Sequence, residues 1–116
     1  MSPLSSELIE QAWIGDAVLS LYVRSAILRD GCGVDGERSA RMTSNQFLSA
    51  LGEPTHVEAQ IGRVYQRDGL AAAFGWINDN LMPVFQRQEE NRKRKTAKVG
   101  KARRQTKAMT KGKTLR

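Results

Sequence analysis

Apolar side chains recur on almost every face of the first thirty positions, from Leu8 and Ile9 through Trp13, Val18, Leu19 and Leu21 to Ile27 and Leu28. Ser5 and Ser6 before Glu7 supply a helix start, and Asp30-Gly31-Cys32-Gly33 supplies a stop. A helix with so little polar face is expected to be central and buried on most sides. A second helix is expected over about Asp35 to Leu51, where Ala40, Phe47, Leu48 and Leu51 are apolar and Gly52 ends the run.

A third helix is expected after Pro54, with Thr55 as its cap. Its apolar positions are Val57, Ile61, Val64 and Tyr65, and Asp68-Gly69 marks its end. The fourth, Leu70 to about Phe85, sets Leu70, Ala73, Phe74, Ile77, Leu81 and Val84 on one side, with Pro83 as a kink near its end. Trp13, Phe47, Phe74 and Trp76 fall at positions expected to pack in the core. No segment alternates as a strand, so the fold class is all-α, built by helix-on-helix packing.

Composition changes this picture at one end only. All twelve acidic residues lie at or before Glu90, and seven cations against twelve acids leave residues 1–90 at −5. Residues 91–116 hold the other twelve Lys and Arg with no acid, a charge of +12. The chain therefore divides into a helical domain, 1–87, and a basic segment, 88–116, that cannot bury enough apolar surface to fold alone. Disorder until a polyanion binds is expected there. Neutralised phosphates release counterions, so nucleic acid is the first candidate partner. Arg92, Lys93, Arg94, Lys95, Lys98, Lys101, Arg103, Arg104 and Lys107 are the candidate contacts. With no aromatic residue among them, such contacts read backbone charge and groove shape, as structured RNA requires.

A membrane partner is disfavoured, because the basic segment has almost no bulky apolar residues and the longest apolar run is too short to span a bilayer. No signal peptide is expected from Met1-Ser2-Pro3-Leu4, which lacks a basic leader. Cys32 is the single cysteine, so no internal disulfide can form. A cytoplasmic location is expected, with an organelle left open.

Two acids carry the candidate chemistry. Asp16 stands in Ile14-Gly15-Asp16-Ala17-Val18-Leu19, inside the most apolar helix, where an ionised acid needs a cation, a donor or an open cleft beside it. Glu58 stands beside the apolar stripe of the third helix, and Gly62 one turn later lets another helix come close. If these helices pack through their small residues, the acids meet. Two carboxylates at one site repel, and a hard divalent ion relieves that repulsion. Taken singly, an acid in a helix is ordinarily solvated or salt-bridged, and His56 beside Glu58 is ordinarily a surface or capping residue.

The segment Trp13 to Leu21 resembles the signature of the ribonuclease III family. Val57 to Tyr65, followed by Asp68-Gly69-Leu70, resembles its second acidic helix. The likeness covers about Glu7 to Ile77. Ala12 and Thr55 stand where full-length members carry further acids, and no separate double-stranded-RNA-binding domain is present, a pattern similar to Mini-ribonuclease III.

The resemblance implies a homodimeric endoribonuclease that cleaves double-stranded regions of structured RNA, including ribosomal RNA precursors. Asp16 and Glu58 would hold Mg2+ or Mn2+. Only 42 positions separate the two acids, fewer than in the family, and no basic glycine-containing loop lies between Gln46 and Pro54. The alternative expectation is a non-catalytic, RNA-binding or ribosome-associated protein on the same fold.

Overall fold

Ser5 accepts a hydrogen bond from the Leu8 backbone nitrogen at 3.1 Å and opens α1, Ser6–Arg29. The computed structural model describes residues 5–96. They fall into two units, divided between Phe85 and Gln86. Among the described residues all regular structure is helical, as the apolar periodicity implies.

α1 ends where Gly31 takes a positive φ of 83°. Asp35 then caps α2, Gly36–Met42, accepting from the Arg38 nitrogen at 3.0 Å, and Ser44 caps α3, Asn45–Leu48. The single helix expected over 35–51 is thus broken in two. Its interruption has a local cause: the Thr43 hydroxyl donates to the Ser39 carbonyl at 2.9 Å and the Ser44 hydroxyl to the Arg41 carbonyl at 3.1 Å. Those bonds offer the backbone an alternative to continuing the helix.

α4 spans Pro54–Asp68 and α5 spans Leu70–Asn80, joined through Gly69 at a φ of 95°. Leu81 follows, and 82–85 are helical again. The cap of α4 is Glu53, not Thr55. Its carboxylate accepts from the His56 nitrogen at 3.0 Å, and Pro54 occupies the first turn, where a missing N–H costs nothing.

The core lies where α1 crosses α4, its most extensive partner, with α5 packed on both. Leu19 and Val23 of α1, Ile61 of α4, Ile77 of α5 and Leu81 are fully buried, and Met42, Phe47 and Leu48 close one end. Phe47 meets Phe85 edge to face at 5.5 Å, and Tyr22 meets Phe74 in the same way at 5.2 Å. Phe47 is buried, while Phe74 and Trp76 are partly buried against the core. Trp13 is not a core residue: it is 77% exposed. α1 is accordingly buried on one side, not on most.

In the second unit residues 86–96 are helical. The expectation of disorder from residue 88 therefore fails over 88–96. Its Gln, Glu, Arg and Lys side chains lose little freedom in a helix, and the Glu90–Arg94 pair, 4.0 Å apart at i,i+4, adds modest support. The rest of the basic segment lies outside the described residues. No helix among the described residues is long and apolar enough to cross a membrane.

Candidate functional site

The candidate site forms where α1 and α4 touch through glycine. A Cβ built on Gly15 would overlap the Glu58 carbonyl oxygen and come within 2.9 Å of the Gly62 nitrogen. A Cβ on Gly62 would overlap the Gln11 carbonyl oxygen and lie 3.2 Å from the Gly15 nitrogen. The two backbones are thus in direct contact, closer than any side chain between them would allow.

Asp16 follows Gly15 on α1, and Glu58 supplies the carbonyl against which Gly15 rests. Their carboxyl groups are brought into hydrogen-bond contact across the crossing. Asp16 is exposed and Glu58 half-buried, so the pair sits at the rim of the core. Among the described residues no fully buried side chain is polar or charged.

The electrostatics follow from that placement. Burial pushes the Glu58 carboxyl up to about 8. The hydrogen bond and negative charge of Asp16 push the same way, with a smaller contribution from the Glu53 charge. Below that pH Glu58 holds a proton, within its hydrogen bond to the Asp16 side chain. Glu53 is committed elsewhere: hydrogen bonds from His56 first, then Thr55, hold its carboxyl below the usual range. His56 Nδ1 lies 2.7 Å from the same Glu53 oxygen, which makes it part of the cap.

A proton is thus what relieves the repulsion between the two carboxyls, and a divalent cation could take its place. No group of three or more His, Cys, Asp or Glu that could hold a metal is found among the described residues. Two carboxylates nevertheless fit Mg2+ or Mn2+, because magnesium is commonly held by one or two carboxylates with water and substrate phosphate completing its shell.

The raised Glu58 value has a testable sign. Since the folded value exceeds the ordinary 4.5, the contribution to stability is full below about pH 4.5 and is lost as pH rises through about 8. In urea denaturation with chelator present, wild type should lose roughly 1–2 kcal/mol relative to Glu58→Gln between pH 5 and pH 9, after discounting for its exposed half. Parallel pH profiles for the two proteins would contradict the raised Glu58 value.

The candidate RNA contacts divide. Arg92, Lys93, Arg94 and Lys95 are exposed on the helix of the second unit. The Arg94–Glu90 pair is solvent-exposed and weak. Lys98, Lys101, Arg103, Arg104 and Lys107 lie outside the described residues.

Sequence reasoning missed the capping role of Glu53 and the exposed apolar row along α1. The first had a signal, an acid immediately before Pro at a helix start. For the second, a helix apolar all round shows no sequence difference between the face that meets α4 and the face that meets solvent. Comparison with protein families, curated proteins and solved structures returns no match.

Proposed function

We propose that this chain is a divalent-metal-dependent endoribonuclease of ribonuclease III type, cleaving double-stranded regions of structured RNA such as ribosomal RNA precursors. The observation that carries the reading is the meeting of Asp16 and Glu58 at the rim of the α1–α4 glycine crossing. Forty-two positions separate them in sequence, and they are the same two acids that the family resemblance selects.

Asp16 and Glu58 would hold Mg2+ or Mn2+. When bound, such an ion lowers the pKa of a coordinated water and offsets charge building on the phosphate. The chain's own part is to fix both carboxylates on facing helices and to release the Glu58 proton as pH rises through about 8. Arg92 to Lys95 and the cations beyond them would retain the RNA backbone without reading bases.

The test is incubation of the full chain with a long RNA duplex, with Mg2+ or with chelator. Shortened products that require the metal are expected. RNA that is bound and left intact with Mg2+ present would remove the nuclease reading. It would leave the second one, a non-catalytic RNA-binding or ribosome-associated protein. The observation favouring that second reading is the short α3–α4 connection, Ser49 to Glu53, which contains no cation with which to seat a substrate.

The role of the basic segment is separable from cleavage. Replacing Arg92, Lys93, Arg94 and Lys95 with Gln should weaken duplex binding and lower the log–log salt slope by roughly 3. An unchanged slope in a binding titration over salt concentration would show that these cations do not contact phosphate.

A further inference from the structure

After α1 the chain turns back on itself. Gly31 and Gly33 take positive φ values of 83° and 81°, which lets Val34 and α2 run beside the helix just left. Arg38 of α2 donates to the Asp30 carboxylate at 2.6 Å and ties that return to the end of α1. Between the two helices an open groove of about 550 Å³ remains, within the size range of small-molecule sites. Ile27 and Leu28 of α1 form one wall, and Val34 and Ala40 the other. Val34 is 91% exposed and Leu28 56%, so both have apolar surface still to lose to an occupant.

The polar groups of the groove divide into spent and unspent ones. The Thr43 hydroxyl donates to the Ser39 carbonyl, and the Asp35 carboxylate caps α2 by accepting from the Arg38 nitrogen. Among the described residues Arg24 forms no ion pair, and the Ser20 and Ser39 hydroxyls form no hydrogen bond. The uncommitted charge in the groove is therefore positive, with two hydroxyls in the same lining.

We propose that this groove binds a small aliphatic carboxylate, its head group paired with Arg24 and its alkyl chain laid between Leu28 and Val34. A planar guanidinium meets a carboxylate with two parallel hydrogen bonds, and the Ser20 and Ser39 hydroxyls supply further donors. A single cation with Asp35 nearby selects a monoanion, because the second charge of a phosphate would stand unpaired near that carboxylate. The walls are aliphatic and hold no aromatic ring, so they suit an alkyl chain and offer no platform for a stacked base. From Ser20 to Leu28 the helix rises about 12 Å, room for a medium-length chain. Neither Asp16 nor Glu58 lines the groove, so this site and the nuclease reading can fail independently.

The test is an NMR titration of the full chain with decanoate at physiological salt, with neither RNA nor metal. Binding should saturate at one site with a Kd of about 1 mM. Amide shifts should centre on the groove, Ser20, Val34, Gly36 and Ala40 among them. Octanoate, shorter by two methylenes, should bind about fourfold more weakly, since an open groove buries each methylene only in part. Arg24→Gln should raise the Kd about tenfold, and Arg24→Lys about threefold, because lysine keeps the charge and loses the paired donors. Ala40→Glu, at an exposed position on α2, should abolish binding. No saturable shift in wild type, shifts centred on residues 86–96, equal binding of decyltrimethylammonium, or a Kd indifferent to Arg24→Gln would each overturn the proposal. So would groove shifts that follow protein dilution without decanoate, which would mark a second copy as the occupant.

Discussion

Gly15→Ala should cost about 3–5 kcal/mol of folding stability, the largest effect of any single methyl in the domain. In an isolated helix the same change would stabilise by about 1 kcal/mol, because alanine has the higher helix propensity. Here the methyl would occupy the position of the Glu58 carbonyl oxygen. Neither group is a side chain that can rotate aside, so α1 and α4 must separate. Separation loosens Leu19, Val23, Ile61 and Val64 together, since all four are buried at this junction.

Overpacking usually costs about 1–3 kcal/mol, and a backbone-against-backbone clash belongs above that range. Gly62→Ala meets the Gln11 carbonyl in the same way and should behave alike. Gly75→Ala is the control. A Cβ there would meet nothing within 4 Å, so it should stabilise by about 0.5–1 kcal/mol. Urea denaturation of the three variants checks the ordering, and a Gly15→Ala loss below about 1 kcal/mol would contradict the close crossing.

Asp16→Asn and Glu58→Gln should each lower the rate of duplex RNA cleavage by about a thousandfold or more. Charge stabilisation by a bound divalent ion contributes several kcal/mol at the transition state, and each 1.4 kcal/mol is about tenfold in rate. Either amide would weaken metal binding and leave one carboxylate where two are needed. Because both acids serve one ion, the double variant should lose little more than either single one.

Affinity for RNA at low salt should be nearly unchanged, since the cations assigned to it lie in the second unit. Both variants should fold. Asp16 is exposed, and at pH 8 Glu58→Gln removes a carboxyl that burial and Asp16 disfavour in its charged form. Single-turnover cleavage alongside a binding titration separates the two effects. Equal losses in cleavage and binding would show that the acids act through the fold.

Much of this architecture is legible in the sequence, for definite reasons. Ser5 and Asp30-Gly31 bracket α1 because capping and positive φ are local requirements. Gly69 separates α4 from α5 for the same reason. The meeting of Asp16 with Glu58 could be anticipated because Gly62 has no role on a helix except to admit a neighbour.

What was not legible depended on competition or on partners. Thr43 and Ser44 break the second helix because their hydroxyls outbid its backbone bonds, and that contest is invisible in apolar periodicity. Glu53 displaced Thr55 as cap because Pro54 takes the first helical position and moves the start back two residues. Trp13 was placed in the core because hydrophobicity states that a side chain leaves water, not what covers it. The helix over 86–96 has no apolar face to announce it and rests on intrinsic propensity.

Whether Asp16 and Glu58 together bind a divalent cation is tested without any RNA by thermal unfolding at pH 8 with and without Mg2+. If the pair binds the ion, 10 mM Mg2+ at about ten times its Kd stabilises by roughly 1.4 kcal/mol and raises Tm by several degrees. The increase should appear in wild type and vanish in both Asp16→Asn and Glu58→Gln. An equal increase in all three proteins, or none in wild type, would contradict binding by the pair.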